Sequence, residues 1–173
     1  MDIKNYYSFR SKLISSTIQA HSVGLDGITF SDNMAAEWHV ISGDYLGISF
    51  PIVFKQEYGK KLHDILNTGW PSLYLISDKM KAVLEDNKVT GWKTYAIQVL
   101  DKKGQEIEGY HGLSITGRCG EIDHGKSEII EKKLVPKGPV VKFRKGLYIG
   151  LAEWDGTDFF LPEKTFWTII TKR

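Results

Sequence analysis

The chain has 173 residues, 42% of them apolar and 25% charged, with a formal net charge of +2. This composition excludes global disorder and fibre, suffices to bury roughly 70% of the unfolded surface, and sets up no single-sign field that calls for nucleic acid or an anionic membrane. One cysteine, Cys119, excludes an internal disulfide and a paired-thiol zinc site, and without a signal-like leader or a run of ~18 apolar residues the sequence predicts a cytoplasmic protein with no membrane partner.

In chain order, residues 6–30 mix apolar and polar positions around Gly24 and Gly27 and predict strands or an irregular lead-in. Residues 37–54, "EWHVISGDYLGISFPIVF", carry two apolar runs and predict strand or extended loop, with Pro51 confining the second run to an edge or a strand end. In "KKLHDILNTGW", Leu62, Ile65 and Leu66 fall at helical spacing and predict a short helix stopped by Gly69.

Leu73 to Ile76 form a strand-length apolar run, and Ser77 is a good N-cap for a helix over Asp78–Asp86. Met80, Val83 and Leu84 give that helix one apolar stripe, Asp78 suits its dipole, and Asn87 can take the left-handed conformation that ends it. If Val83 lies on the buried face, Val83→Ala costs about 1–3 kcal/mol. A strand returns at Trp92–Leu100, "DKKG" at 101–104 predicts a hairpin turn toward a strand over Tyr110–Thr116, and residues 128–150 predict further extended segments. The expected fold is α+β: a mostly antiparallel sheet with a few short helices, in a single domain over residues 1–173 with a lead-in at about 1–60. "TFWTIITKR" at the end echoes "LYLISDK", so a partial internal repeat would put residues 166–171 into the same sheet as Leu73–Ile76.

No catalytic constellation stands out. Cys119 and His124 could in principle form a nucleophile and base, but neighbours five apart in a loop seldom reach that geometry. His111, Asp123 and His124 lack metal-ligand spacing, and no glycine-rich phosphate loop is present, so no metal and no cofactor are expected. Glu153, Asp155, Asp158 and Glu163 fit a turn better than a calcium loop. Lys132, Lys133, Lys137, Lys142, Arg144 and Lys145, interleaved with Phe143 and Tyr148, fit the solvated face of an exposed strand better than a nucleic-acid surface. Trp92 and Trp167 are expected in the core.

The strand "LYLIS", the helix "DKMKAVLED", then "VTGWKTYAIQVLDKKG", "GYHGLSITGRCGEIDHGKSE" and "EWDGTDFF" together resemble the immunity proteins of bacterial polymorphic toxin systems, in particular the eleventh family of that series. Its cues here are Ile122, Asp123 and Ser127, and Trp154, Gly156, Asp158 and Phe160; where members of the family continue into a further helix, this sequence stops at Arg173. The resemblance implies a non-catalytic protein that binds and neutralises a cognate toxin. The corresponding candidate partner-binding residues are Asp123, Ser127, Trp154, Asp155, Asp158 and Phe160, with the two aromatics as anchors and the aspartates facing a basic partner. The same residues also fit a turn whose aromatics point into the core, and the alternative functions are a small hydrolase or a nucleic-acid-binding module.

Overall fold

The structure, a computed structural model, describes residues 6–11, 16–25, 27–126, 128–133, 135–136, 138–145 and 148–172. Among these residues two α-helices are interspersed with thirteen strands: β1 (Tyr6–Ser8), β2 (Gln19–Val23), α1 (Ala36–Ser42), β3 (Ile52–Tyr58), β4 (Ile65–Asn67), β5 (Tyr74–Ser77), α2 (Asp78–Asp86), β6 (Trp92–Tyr95), β7 (Ile97–Leu100), β8 (Tyr110–Ile115), β9 (Arg118–Cys119), β10 (Glu128–Lys133), β11 (Val140–Lys145), β12 (Phe159–Pro162) and β13 (Ile169–Thr171). The fold is α+β with mostly antiparallel pairing and short helices.

The largest sheet has the order β6-β8-β5-β4-β2-β3-β7. Its edge strands β6 and β7 are consecutive in the chain and separated only by Ala96, so the two edges must come within a residue or two of each other. The sheet is therefore rolled. By register Leu66, Leu75 and Tyr95 share one face of this sheet and Ile76 and Leu113 the other, and both faces are covered: all five, with Phe54 and with Val40 and Ile41 of α1, belong to one buried core. Gly112 sits opposite Tyr95 across β8 and β6, and a Cβ there would lie 2.0 Å from the Tyr95 ring, so the glycine makes room for that ring. A smaller sheet, β1-β13-β12-β9, joins the two ends of the described chain and contributes Phe159 and Leu161 to the same core. Strands β10 and β11 form a two-stranded sheet of their own.

The strand-to-helix junction forms as the sequence predicts. Tyr74, Leu75 and Ile76 are buried, and Ser77 Oγ accepts from the Met80 amide at 3.1 Å to cap α2. The buried stripe is narrower than expected, however: Leu84 is buried and Met80 packs on the core, but Val83 is 47% exposed. The left-handed residue is Lys88 (φ 51°), since Asn87 instead turns its side-chain amide back to the Val83 carbonyl at 2.8 Å.

Three local expectations are corrected. Residues 36–42 are helical because Ala36, Val40 and Ile41 bury one face against the core and Gly43, at φ 79°, closes the C-terminus by donating to the Val40 carbonyl. Residues 65–67 are a strand, because Ile65 and Leu66 pair with Ile76 and Leu75. After the turn at 101–104, only Glu106 and Ile107 return to the preceding strand; β7 pairs with β3, and β8 pairs with β5 and β6. The internal repeat is also overturned, since β5 and β13 belong to different sheets.

Candidate functional site

The turn at residues 154–160 holds the chain together through its polar groups. Asp155 accepts from the Arg118 amide at 2.8 Å with one carboxylate oxygen and from the Thr157 amide and hydroxyl at 3.0 and 2.6 Å with the other. Burial pushes its carboxyl pKa up, but these hydrogen bonds outweigh burial and hold it below the usual carboxylate range. Asp158 accepts from the amide and hydroxyl of Thr90 at 2.8 and 2.7 Å and from the Thr171 hydroxyl at 3.1 Å, tying the α2–β6 loop to β13.

The aromatic residues of the same turn face inward. Phe160 has no exposed surface, so it is a core residue and not an outward anchor. Trp154 packs at 5.7 Å from Phe160 and 6.2 Å from Tyr6, and its indole N–H donates to the Thr157 carbonyl at 3.0 Å. Asp123 is exposed and pairs with Lys126 at 2.9 Å, which lowers its pKa; Ser127 lies outside the described residues. Of the six residues singled out in the sequence, four thus converge on one turn, where they serve the fold.

Cys119 packs with Phe160 and Ile169 and is buried, and burial pushes its thiol up to about 12. It is a neutral thiol at physiological pH, which does not suit a nucleophile. No group of three or more His, Cys, Asp and Glu among the described residues is placed to hold a metal ion.

A different arrangement gathers exposed aromatic surface. Phe166, just before β13, receives Trp38 of α1 edge-on at 4.8 Å and Trp70, from the turn after β4, at 6.2 Å. The turn is held in place by its own hydrogen bonds: Asn67 accepts from the Gly69 amide at 3.1 Å, and the Thr68 hydroxyl donates to the Leu73 carbonyl at 2.8 Å. Ser72, at φ 61°, donates its hydroxyl to the Phe166 carbonyl and so fixes this turn to the segment carrying Phe166. Trp38, Trp70 and Phe166 are partly buried against the core, while the adjacent Trp167 is 51% exposed, contrary to its expected place inside.

The five tryptophans divide by the use of their N–H groups. Trp92 donates to the Val89 carbonyl at 2.7 Å and Trp154 to Thr157, whereas among the described residues the indoles of Trp38, Trp70 and Trp167 donate to nothing. The sequence offered one clue to this surface: Trp70 stands between Gly69 and Pro71, where a large aromatic cannot be part of a continuous buried run.

Nearby, His39 of α1 is gripped on both sides. Its Nε2 lies 3.2 Å from Asp32 and its Nδ1 3.2 Å from Asp44, with Phe30 packed edge-on at 4.6 Å. Both ring nitrogens are thus engaged by carboxylates, an arrangement that straps the loops on either side of α1 and leaves neither nitrogen for proton transfer to a substrate.

Comparison of the chain with known protein families and with curated proteins finds no match.

Proposed function

We propose that this chain is a non-catalytic binding protein that neutralises a cognate bacterial toxin in the cytoplasm, and that it grips its partner through the aromatic surface around Phe166. The observation that carries the reading is the arrangement of Trp38, Trp70 and Phe166 as fixed, interlocked rings, with indole donors uncommitted within the described residues. Tryptophan combines a large apolar area with one polar group, and residues already held in position lose little entropy on binding; both traits favour the tight complex that an inhibitor needs. The toxin as partner follows from the sequence resemblance to immunity proteins. The absence, among the described residues, of a helix long and apolar enough to cross a membrane is compatible with this reading.

The test is to recover the partner on immobilised protein from the cells that make it, then to co-express that partner with the wild-type chain or with Trp38→Ala/Trp70→Ala. Wild type is expected to protect growth, and the double variant, verified as folded by its circular dichroism, is expected to lose both protection and partner recovery. A partner that is not toxic sinks the neutralising role. Full protection by the double variant sinks the aromatic surface.

A further inference from the structure

Strands β10 and β11 make a hairpin with no third strand among the described residues. Their register sets Ile130 opposite Phe143, Glu128 opposite Lys145 and Lys132 opposite Val141 on one face. The other face carries Ile129, which is 61% exposed, Val140, which is 52% exposed, and a Glu131–Lys142 ion pair at 3.7 Å. A two-stranded hairpin with aliphatic residues exposed to water is marginally stable by itself, and its open edge is a template for another strand.

The sequence of β10, Glu-Ile-Ile-Glu-Lys-Lys, indicates which strand fits. Two copies of one strand pairing antiparallel about a two-fold axis must set residues equidistant from a central residue opposite each other, because the axis is perpendicular to the sheet and keeps each face on its own side. Centred on Ile130, this pairing places Ile130 against Ile130 of the second copy and Glu128 against Lys132 twice. Moving the centre to Glu131 or Lys132 sets like charges against each other at the axis. The outer edge of β11 has no such solution, since Lys142, Arg144 and Lys145 are all cationic. Lysines that merely blunt an edge against association would meet like charges on self-pairing; here Lys132 meets a glutamate.

We propose that β10 is a self-pairing edge that joins two copies of this chain into a dimer, with a four-stranded sheet β11-β10-β10-β11 centred on Ile130. On one face the row Phe143, Ile130, Ile130, Phe143 then runs across all four strands, flanked by two Glu128–Lys132 pairs between copies. The inference does not depend on any toxin.

Sedimentation equilibrium of the full chain over a wide concentration range is expected to show a monomer–dimer equilibrium. Glu128→Lys and Lys132→Glu each place like charges opposite one another at two points, so each variant alone is expected to lose the dimer. Mixed together, the two variants regain both opposite-charge pairs and are expected to form a heterodimer. No effect confined to one chain produces that rescue, and thermal melts of each variant verify that it is folded. A wild-type chain that stays monomeric throughout, variants that still dimerise alone, or a mixture that stays monomeric would each overturn the proposal.

Discussion

Asp155 and Asp158 serve one purpose in the same turn, since each spends its carboxylate on donors of the chain itself. An aspartate that accepts from backbone and hydroxyl donors has its oxygens committed inside the chain, and Asp158 commits both of its own to Thr90 and Thr171. Hydrogen bonds to a charged acceptor contribute more than neutral ones, so Asp158→Ala is expected to cost about 1–3 kcal/mol of unfolding free energy, measured by denaturant titration. A loss near zero would mean that water replaces these contacts at no cost. The sequence showed the turn, through Asp155-Gly156, but left open whether its aromatics faced in or out. That choice depends on Tyr6, Phe160 and Trp154 meeting across about 150 residues of chain separation, which no local pattern encodes.

Among the elements, α2 was legible because its signals are local. Ser77 caps it, Asp78 opens it, and the apolar residues repeat at helical spacing. Ser77→Ala is expected to lose about 1 kcal/mol, since it removes both the cap to Met80 and the bond to Asp64 at 2.9 Å. Val83→Ala is expected to change stability by less than about 0.5 kcal/mol, because Val83 faces water; a loss of several times that size would put Val83 back in the core. Helix α1 and strand β4 depart from their local sequence signals for a common reason. Each is short, and neighbouring elements decide its conformation: α1 by packing Val40 and Ile41 against the rolled sheet, β4 by fitting between β2 and β5. The aromatic surface has no local signal for the same reason, since Trp38, Trp70 and Phe166 come from three separate segments.

At the scale of the whole molecule, carboxylates hold loops in place, Asp32 and Asp44 against His39 of α1 and Asp155 against β9, which makes the stability of the fold depend on acid. Asp32 is held below the usual carboxylate range by the Met34 amide and by His39, Asp44 by the Leu46 amide and by His39, and Asp155 by the hydrogen bonds of Thr157 and Arg118, which outweigh its burial. A carboxylate whose pKa is lower in the folded chain than in the unfolded one stabilises the fold in full above the unfolded value, near 3.9, and loses that contribution as pH falls through the folded value. The denaturant midpoint is therefore expected to stay level from pH 7 to about pH 5 and to fall below about pH 4. Asp155→Asn isolates one contributor, because its three donors converge on an otherwise ionised group. The variant is expected to be less stable than wild type at pH 7, and the difference is expected to shrink as acid protonates Asp155 in the wild-type chain. Equal differences at pH 7 and pH 3 would show that Asp155 acts through its shape alone and that its charge contributes nothing to the fold.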